Sequence, residues 1–147
     1  MMKLQNGGYY QPGPLAHAFK NEIAEVGDGD KQGTPLWFFL TLQHAIGCTF
    51  EVDLFASHGN ALCREYYTAD RPFTIDDVQR DRWYFANPPY SASPTDKETG
   101  LPKTNISQAM KTCYEIFAEG GNVVALHRFD PSSTWFQDYC PFHELGD

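Results

Sequence analysis

The sequence is short of positive charge. Eleven Lys and Arg stand against nineteen Asp and Glu, a formal net charge of −8. Such a chain does not coat nucleic acid through a general basic field, and it offers no polybasic face to an anionic membrane surface. It has no apolar run approaching the roughly 20 residues of a membrane-spanning helix. Residues 1–11 hold one Lys and no hydrophobic stretch, which predicts no secretory leader. The four cysteines, Cys48, Cys63, Cys113 and Cys140, form no C-x-x-C pair. Neither a zinc ribbon nor a clustered disulfide framework is therefore indicated. Widely spaced cysteines of this kind predict reduced thiols in a cytoplasmic protein. The five histidines show no H-x-x-x-H or H-E-x-x-H spacing, which speaks against a histidine-built metal site.

What the sequence does contain is a core. Hydrophobic residues make up 41% and aromatics 15% of the 147 positions, too apolar for a disordered chain and the right length for one domain. Residues 1–32 read as an N-terminal arm followed by a helix at 15–26. The main domain, residues 33–147, opens with a helix. Thr34 is its expected cap, Pro35 its first helical position and Gly47 its end. Residues 49–56 and 82–86 read as strands, 61–67 as a short strand or loop, and 74–80 as a turn or two of helix capped by Thr74. A polar loop at 91–104 precedes a helix at 105–118. The continuous apolar run 122–127 predicts a strand inside a parallel sheet, followed by a helix from 132 to 139. Alternation of this kind predicts an α/β fold with a mostly parallel sheet.

The most informative residues are Asn87-Pro88-Pro89-Tyr90, directly after a predicted strand. Ligands in open α/β sheets bind just beyond the carboxyl ends of strands. Two consecutive prolines fix φ twice and remove two N–H donors. Asn87, placed before a proline, is also pushed out of the helical region. The chain thus leaves the strand in one rigid, extended shape. That shape presents the Asn87 side-chain oxygen and the Pro88 carbonyl as acceptors, with the flat Tyr90 ring beside them. Such a set suits an aromatic ring bearing an exocyclic amino group.

With these residues the sequence resembles the S-adenosylmethionine-dependent N6-adenine DNA methyltransferases, whose catalytic motif is N-P-P-Y after a strand. Trp83 upstream and Ser91 downstream make it most similar to the small phage-encoded members. Gly33-Thr34-Pro35-Leu36 resembles their N-terminal T-P motif. Asp53 and Ala56, then Asn60, Ala61 and Cys63, resemble their D-x-x-A strand and N-A-x-C segment. The run 123–126 with Asp130, Thr134, Trp135 and Phe136 resembles their following strand and W-F segment.

The resemblance implies a Rossmann-like methyltransferase fold, apparently short at the C-terminus. It implies S-adenosylmethionine as cofactor and double-stranded DNA with a flipped-out adenine as substrate. Asn87 and the Pro88 carbonyl would accept hydrogen bonds from the adenine amino group, with Pro89 holding the turn and Tyr90 stacking on the base. Thr34, Pro35, Asp53 and Asn60 would face the cofactor, Asp53 toward its cationic amino group. For a ribose-binding acid, Glu65, Asp76, Asp77 and Asp81 remain open alternatives. The short C-terminus predicts an exposed sheet edge completed by a second copy or a partner chain. A second reading keeps the fold without catalysis, as an acidic binding protein or DNA mimic. A basic rim around Asn87, from Lys97, Lys103, Lys111 or Arg128, would favour the enzyme. A continuous acidic face would favour the mimic.

Overall fold

The computed structural model describes residues 2–3, 8–10, 33–90, 95, 98, 100 and 104–140. The expected helix at 15–26, most of the loop at 91–104 including Lys97 and Lys103, and residues 141–147 lie outside the described residues. Ten elements follow in chain order. They are β1 (Met2–Lys3), β2 (Tyr9–Tyr10), α1 (Leu36–Ile46), β3 (Val52–Asp53), β4 (Glu65–Tyr66), a 3-10 turn (Ile75–Asp77), β5 (Trp83–Ala86), α2 (Ile106–Ala118), β6 (Asn122–Ala125) and α3 (Thr134–Tyr139).

The sheet runs β1-β2-β4-β3-β5-β6. Its centre is parallel, with Val52 opposite both Glu65 and Tyr84, and Trp83 opposite Asn122. Side chains alternate across the pleat and so separate two cores. Val52, Leu54, Tyr84 and Ala86 pack on one face against Cys113 and Ile116 of α2. Phe85 lies on the other, with Phe50, Leu62 and Phe39 of α1. Helices therefore cover both faces of a mixed α/β sheet. The third helix docks on α2 through Ile106, Met110, Trp135 and Phe136. No helix among the described residues is long and apolar enough to cross a membrane. No disulfide joins the four cysteines.

Several expectations are corrected here. Part of the N-terminal arm is β structure, because β2 pairs antiparallel with β4 and carries β1 with it. The open edge of β4 supplies the partner. Thr34 does not cap α1: Pro35 is the cap residue, with no side-chain cap bond, and the Thr34 hydroxyl is engaged elsewhere. At the other end, Gly47 closes α1 in the left-handed conformation, φ 77°. Thr74 likewise makes no side-chain cap bond to the backbone; its hydroxyl donates to the Asp77 carboxylate. The apolar run at 122–127 predicts an interior strand, yet β6 is an edge strand among the described residues. All four of its residues are half-buried, since only the β5 flank is paired.

Candidate active site

The parallel strands β3, β4, β5 and β6 all point the same way, so their carboxyl ends gather on one side of the sheet. A cavity of about 520 Å³ opens there, within the size range of small-molecule sites. Asn87, Pro88, Pro89 and Tyr90 line it directly after β5. Thr34, Asp53 and Asn60 line it as well. Pro35 does not; it is exposed and starts α1, its carbonyl accepting from the Phe38 and Phe39 N–H groups at 3.1 Å.

Among the described residues, one hydrogen bond orients the Asn87 side chain. Its Nδ2 donates to the Thr34 hydroxyl at 2.9 Å. With the nitrogen committed, Oδ1 is the acceptor that the amide has left to present. The Pro88 ring is fully buried, which fixes the turn in the core. Tyr90 is held at the end of β6: its hydroxyl donates to the Leu126 carbonyl at 3.2 Å, and the Arg128 guanidinium lies over its ring at 4.6 Å from the centroid. Burial pushes the Tyr90 hydroxyl pKa up from its ordinary value.

Asp53 is 3% exposed. The Leu62 N–H donates to its Oδ2 at 3.1 Å, and the Phe55 N–H also bonds the carboxyl. Those bonds lower its pKa but do not offset burial, which pushes it up to about 7. No cation among the described residues reaches it. A buried carboxyl with two backbone donors and no counter-charge is well suited to a cationic ligand amine.

Asn60 shapes the loop after β3. Its Oδ1 accepts from the Ser57 N–H at 2.7 Å, while its own N–H donates to the Ser57 carbonyl at 3.2 Å. Gly33 packs so closely that an added Cβ would sit 3.2 Å from the Asn60 Cβ. The T-P segment and the loop after β3 thus meet at the cavity wall.

Sequence reasoning missed other parts of that wall. Phe55, Thr68, Phe73, Gln108 and Thr112 all line the cavity. A signal existed for the last two. Asn105-x-x-Gln108 is a capping-box spacing, and both halves of the box form. A helix starting there places Gln108 and Thr112 four residues apart on one face.

None of Glu65, Asp76, Asp77 and Asp81 lines the cavity. Glu65 instead receives Arg82 at 2.7 Å. The carboxylate nearest the end of β4 in sequence is Asp70. It accepts from the Tyr9 hydroxyl at 2.8 Å and from the hydroxyl of Thr68, and these bonds hold its pKa below the ordinary range. Of the four cations expected near Asn87, two lie outside the described residues. Lys111 pairs with Glu115 at 3.8 Å away from the cavity wall, and Arg128 sits on Tyr90.

Comparison with known proteins adds one match. The family model for DNA N-6-adenine-methyltransferase (Dam) matches residues 22–141. No curated protein and no solved structure gives a match.

Proposed function

The chain belongs to the DNA N-6-adenine-methyltransferase family, and from that membership we propose that it transfers a methyl group from S-adenosylmethionine to the N6 amino group of a flipped-out adenine in double-stranded DNA. The observation that carries this reading is the Asn87 amide, tied to Thr34 at the mouth of a cavity that also holds the buried Asp53.

The cofactor supplies an electrophilic methyl group on a sulfonium. Asp53 holds its amino group, because a cation there returns the buried carboxyl to its ionised form. Thr34 and Asn60 shape the wall around it, and Pro35 starts the helix that carries Thr34 into place. Phe55 and Phe73 supply apolar surface for a flat ring. Asn87 Oδ1 and the Pro88 carbonyl accept from the adenine amino group. Electron density is thereby drawn onto N6 and its lone pair is aimed at the methyl; the N6–carbon bond would form as the carbon–sulfur bond breaks, leaving a neutral thioether, and the surplus N6 proton would pass to water. Pro89 keeps the two acceptors rigid, and Tyr90 stacks on the base. Catalysis here is positioning plus electrostatic polarisation, with no covalent bond to the protein.

Lysine-poor composition fits this chemistry: the pocket grips one uncharged base, so a strongly basic surface is not required. The protein acts in the cytoplasm, where DNA and cofactor meet. The flank of β6 that is unpaired among the described residues is the place where a second copy of the chain would pair. Isothermal calorimetry with S-adenosylmethionine tests the reading. Saturable one-site binding that is lost in Asp53→Ala is expected. No heat of binding to the wild-type chain overturns it.

A further inference from the structure

Tyr90 is gripped twice by the segment that leaves β6. Its hydroxyl donates to the Leu126 carbonyl, and the Arg128 side chain folds back over the ring. Arg128 is exposed. Arg82 is paired with Glu51 and Glu65, Lys111 with Glu115, and Arg64 with the Tyr10 hydroxyl, whereas the Arg128 charge is felt by Asp130 but its guanidinium lies on Tyr90. Among the described residues Arg128 is the cation that touches the Asn87-Pro88-Pro89-Tyr90 segment. In a chain of net charge −8, one cation at that point matters more than it would on a basic surface.

We propose that Arg128 is a positioning residue for the target nucleotide. Its guanidinium supports one face of the Tyr90 ring, so that the other face receives the extruded adenine. Its outward N–H groups bond the phosphate flanking that adenine. The inference rests on the adenine-methyltransferase reading above. The two tasks are compatible because a guanidinium is planar. It stacks with its face and donates hydrogen bonds from its edge. A cation on one face of an aromatic ring is favourable in its own right. A lysine would keep the charge and lose the plane.

The test uses the full chain, labelled S-adenosylmethionine and unmethylated plasmid DNA across a range of salt. Arg128→Met is expected to raise KM for DNA by about tenfold, the loss of one charge-assisted hydrogen bond. It should also reduce the slope of log KM against log salt by about 0.9, the contribution of one phosphate contact. Calorimetric affinity for the cofactor should not move. Arg128→Lys should recover the salt slope but keep a lowered kcat. Lys111→Gln, which removes an exposed cation away from the cavity, should leave the slope unchanged. If Arg128→Met matches the wild type, or Lys111→Gln moves the slope equally, the inference is overturned. Tighter DNA binding by Arg128→Met also overturns it, since the guanidinium would then occupy the place of the base. A thermal melt of each variant separates misfolding from these effects, and Arg128→Lys carries the test if Arg128→Met does not fold. A wild-type chain that transfers no methyl group contradicts the underlying reading, and this inference with it.

Discussion

Asp53 has two backbone donors and almost no contact with water. Its folded pKa of about 7 lies above the ordinary carboxylate value. The folded protein therefore binds a proton there more tightly than the unfolded chain does. Stability from this group is complete below about pH 4 and is lost as pH rises through about 7. Three pKa units correspond to about 4 kcal/mol, an upper bound for one buried group. Asp53→Asn should flatten the fall in melting temperature between pH 5 and 8 relative to the wild type and raise the melting point at pH 8. The same variant should bind S-adenosylmethionine more weakly, measured by calorimetry. A parallel pH profile in the two proteins would contradict the assignment. Thr34 gives a second residue-scale prediction. Thr34→Val removes the acceptor for Asn87 Nδ2 and frees the amide to rotate, while Thr34→Ser keeps it. Single-turnover methylation should slow by about tenfold in the valine variant, the worth of one such bond, and stay near wild type in the serine variant.

At the scale of elements, the amino ends of three strands are tied by one side chain. Arg82, just before β5, reaches Glu51 before β3 at 3.3 Å and Glu65 in β4 at 2.7 Å. Glu65 is 8% exposed, and burial outweighs Arg82 in setting its pKa, which is raised. Arg82→Ala strands that carboxylate without its cation and should cost about 3 kcal/mol of stability at pH 8, read from urea unfolding. The loss should shrink at low pH, where Glu65 is protonated.

What the sequence made legible follows the strength of its local signals. The helix α2 has an Asn cap, a Gln three residues on and apolar residues at helical spacing; Ile106, Ala109, Met110, Cys113 and Ile116 are buried as that spacing predicts. The segment after β5 is legible because two prolines permit few shapes. The pairing of β1 and β2 is not, since two-residue strands have no pattern of their own and are decided by the neighbour they meet. The edge position of β6 is hidden for the same reason: composition reports burial demand, not how many flanks are paired. The candidate site splits in the same way. Asn87, Asp53 and Tyr90 stand at strand ends that the pattern marks, whereas Thr68 and Phe73 reach the cavity through tertiary folding.

For the whole molecule, the net charge of −8 sets how it meets DNA. Few phosphate contacts are available, so affinity for unmethylated duplex should be modest. The slope of log K against log salt should be shallow, between about −1 and −3, the range for one to three neutralised phosphates. Fluorescence anisotropy with labelled duplex measures it; a slope near −8 would contradict this picture. The flank of β6 left unpaired among the described residues adds a concentration-dependent prediction. The Asn122 and Leu126 N–H groups donate to the β5 side, so the Val123 N–H faces the other flank. Sedimentation should show self-association that weakens in Val123→Pro; association that is unchanged in that variant would contradict pairing at this edge.

In the proposed reaction the acceptors at Asn87 and Pro88 direct a methyl group onto the adenine amino nitrogen. Mass spectrometry of nucleosides from plasmid DNA incubated with the protein and labelled S-adenosylmethionine, beside the Asn87→Ala variant, tests this step. Labelled N6-methyl-2′-deoxyadenosine is expected with the wild type, and a loss of about 100-fold or more in Asn87→Ala, the effect of removing an oxyanion-type polarising group. Label on cytosine, no label at all, or an Asn87→Ala variant as active as the wild type would contradict it.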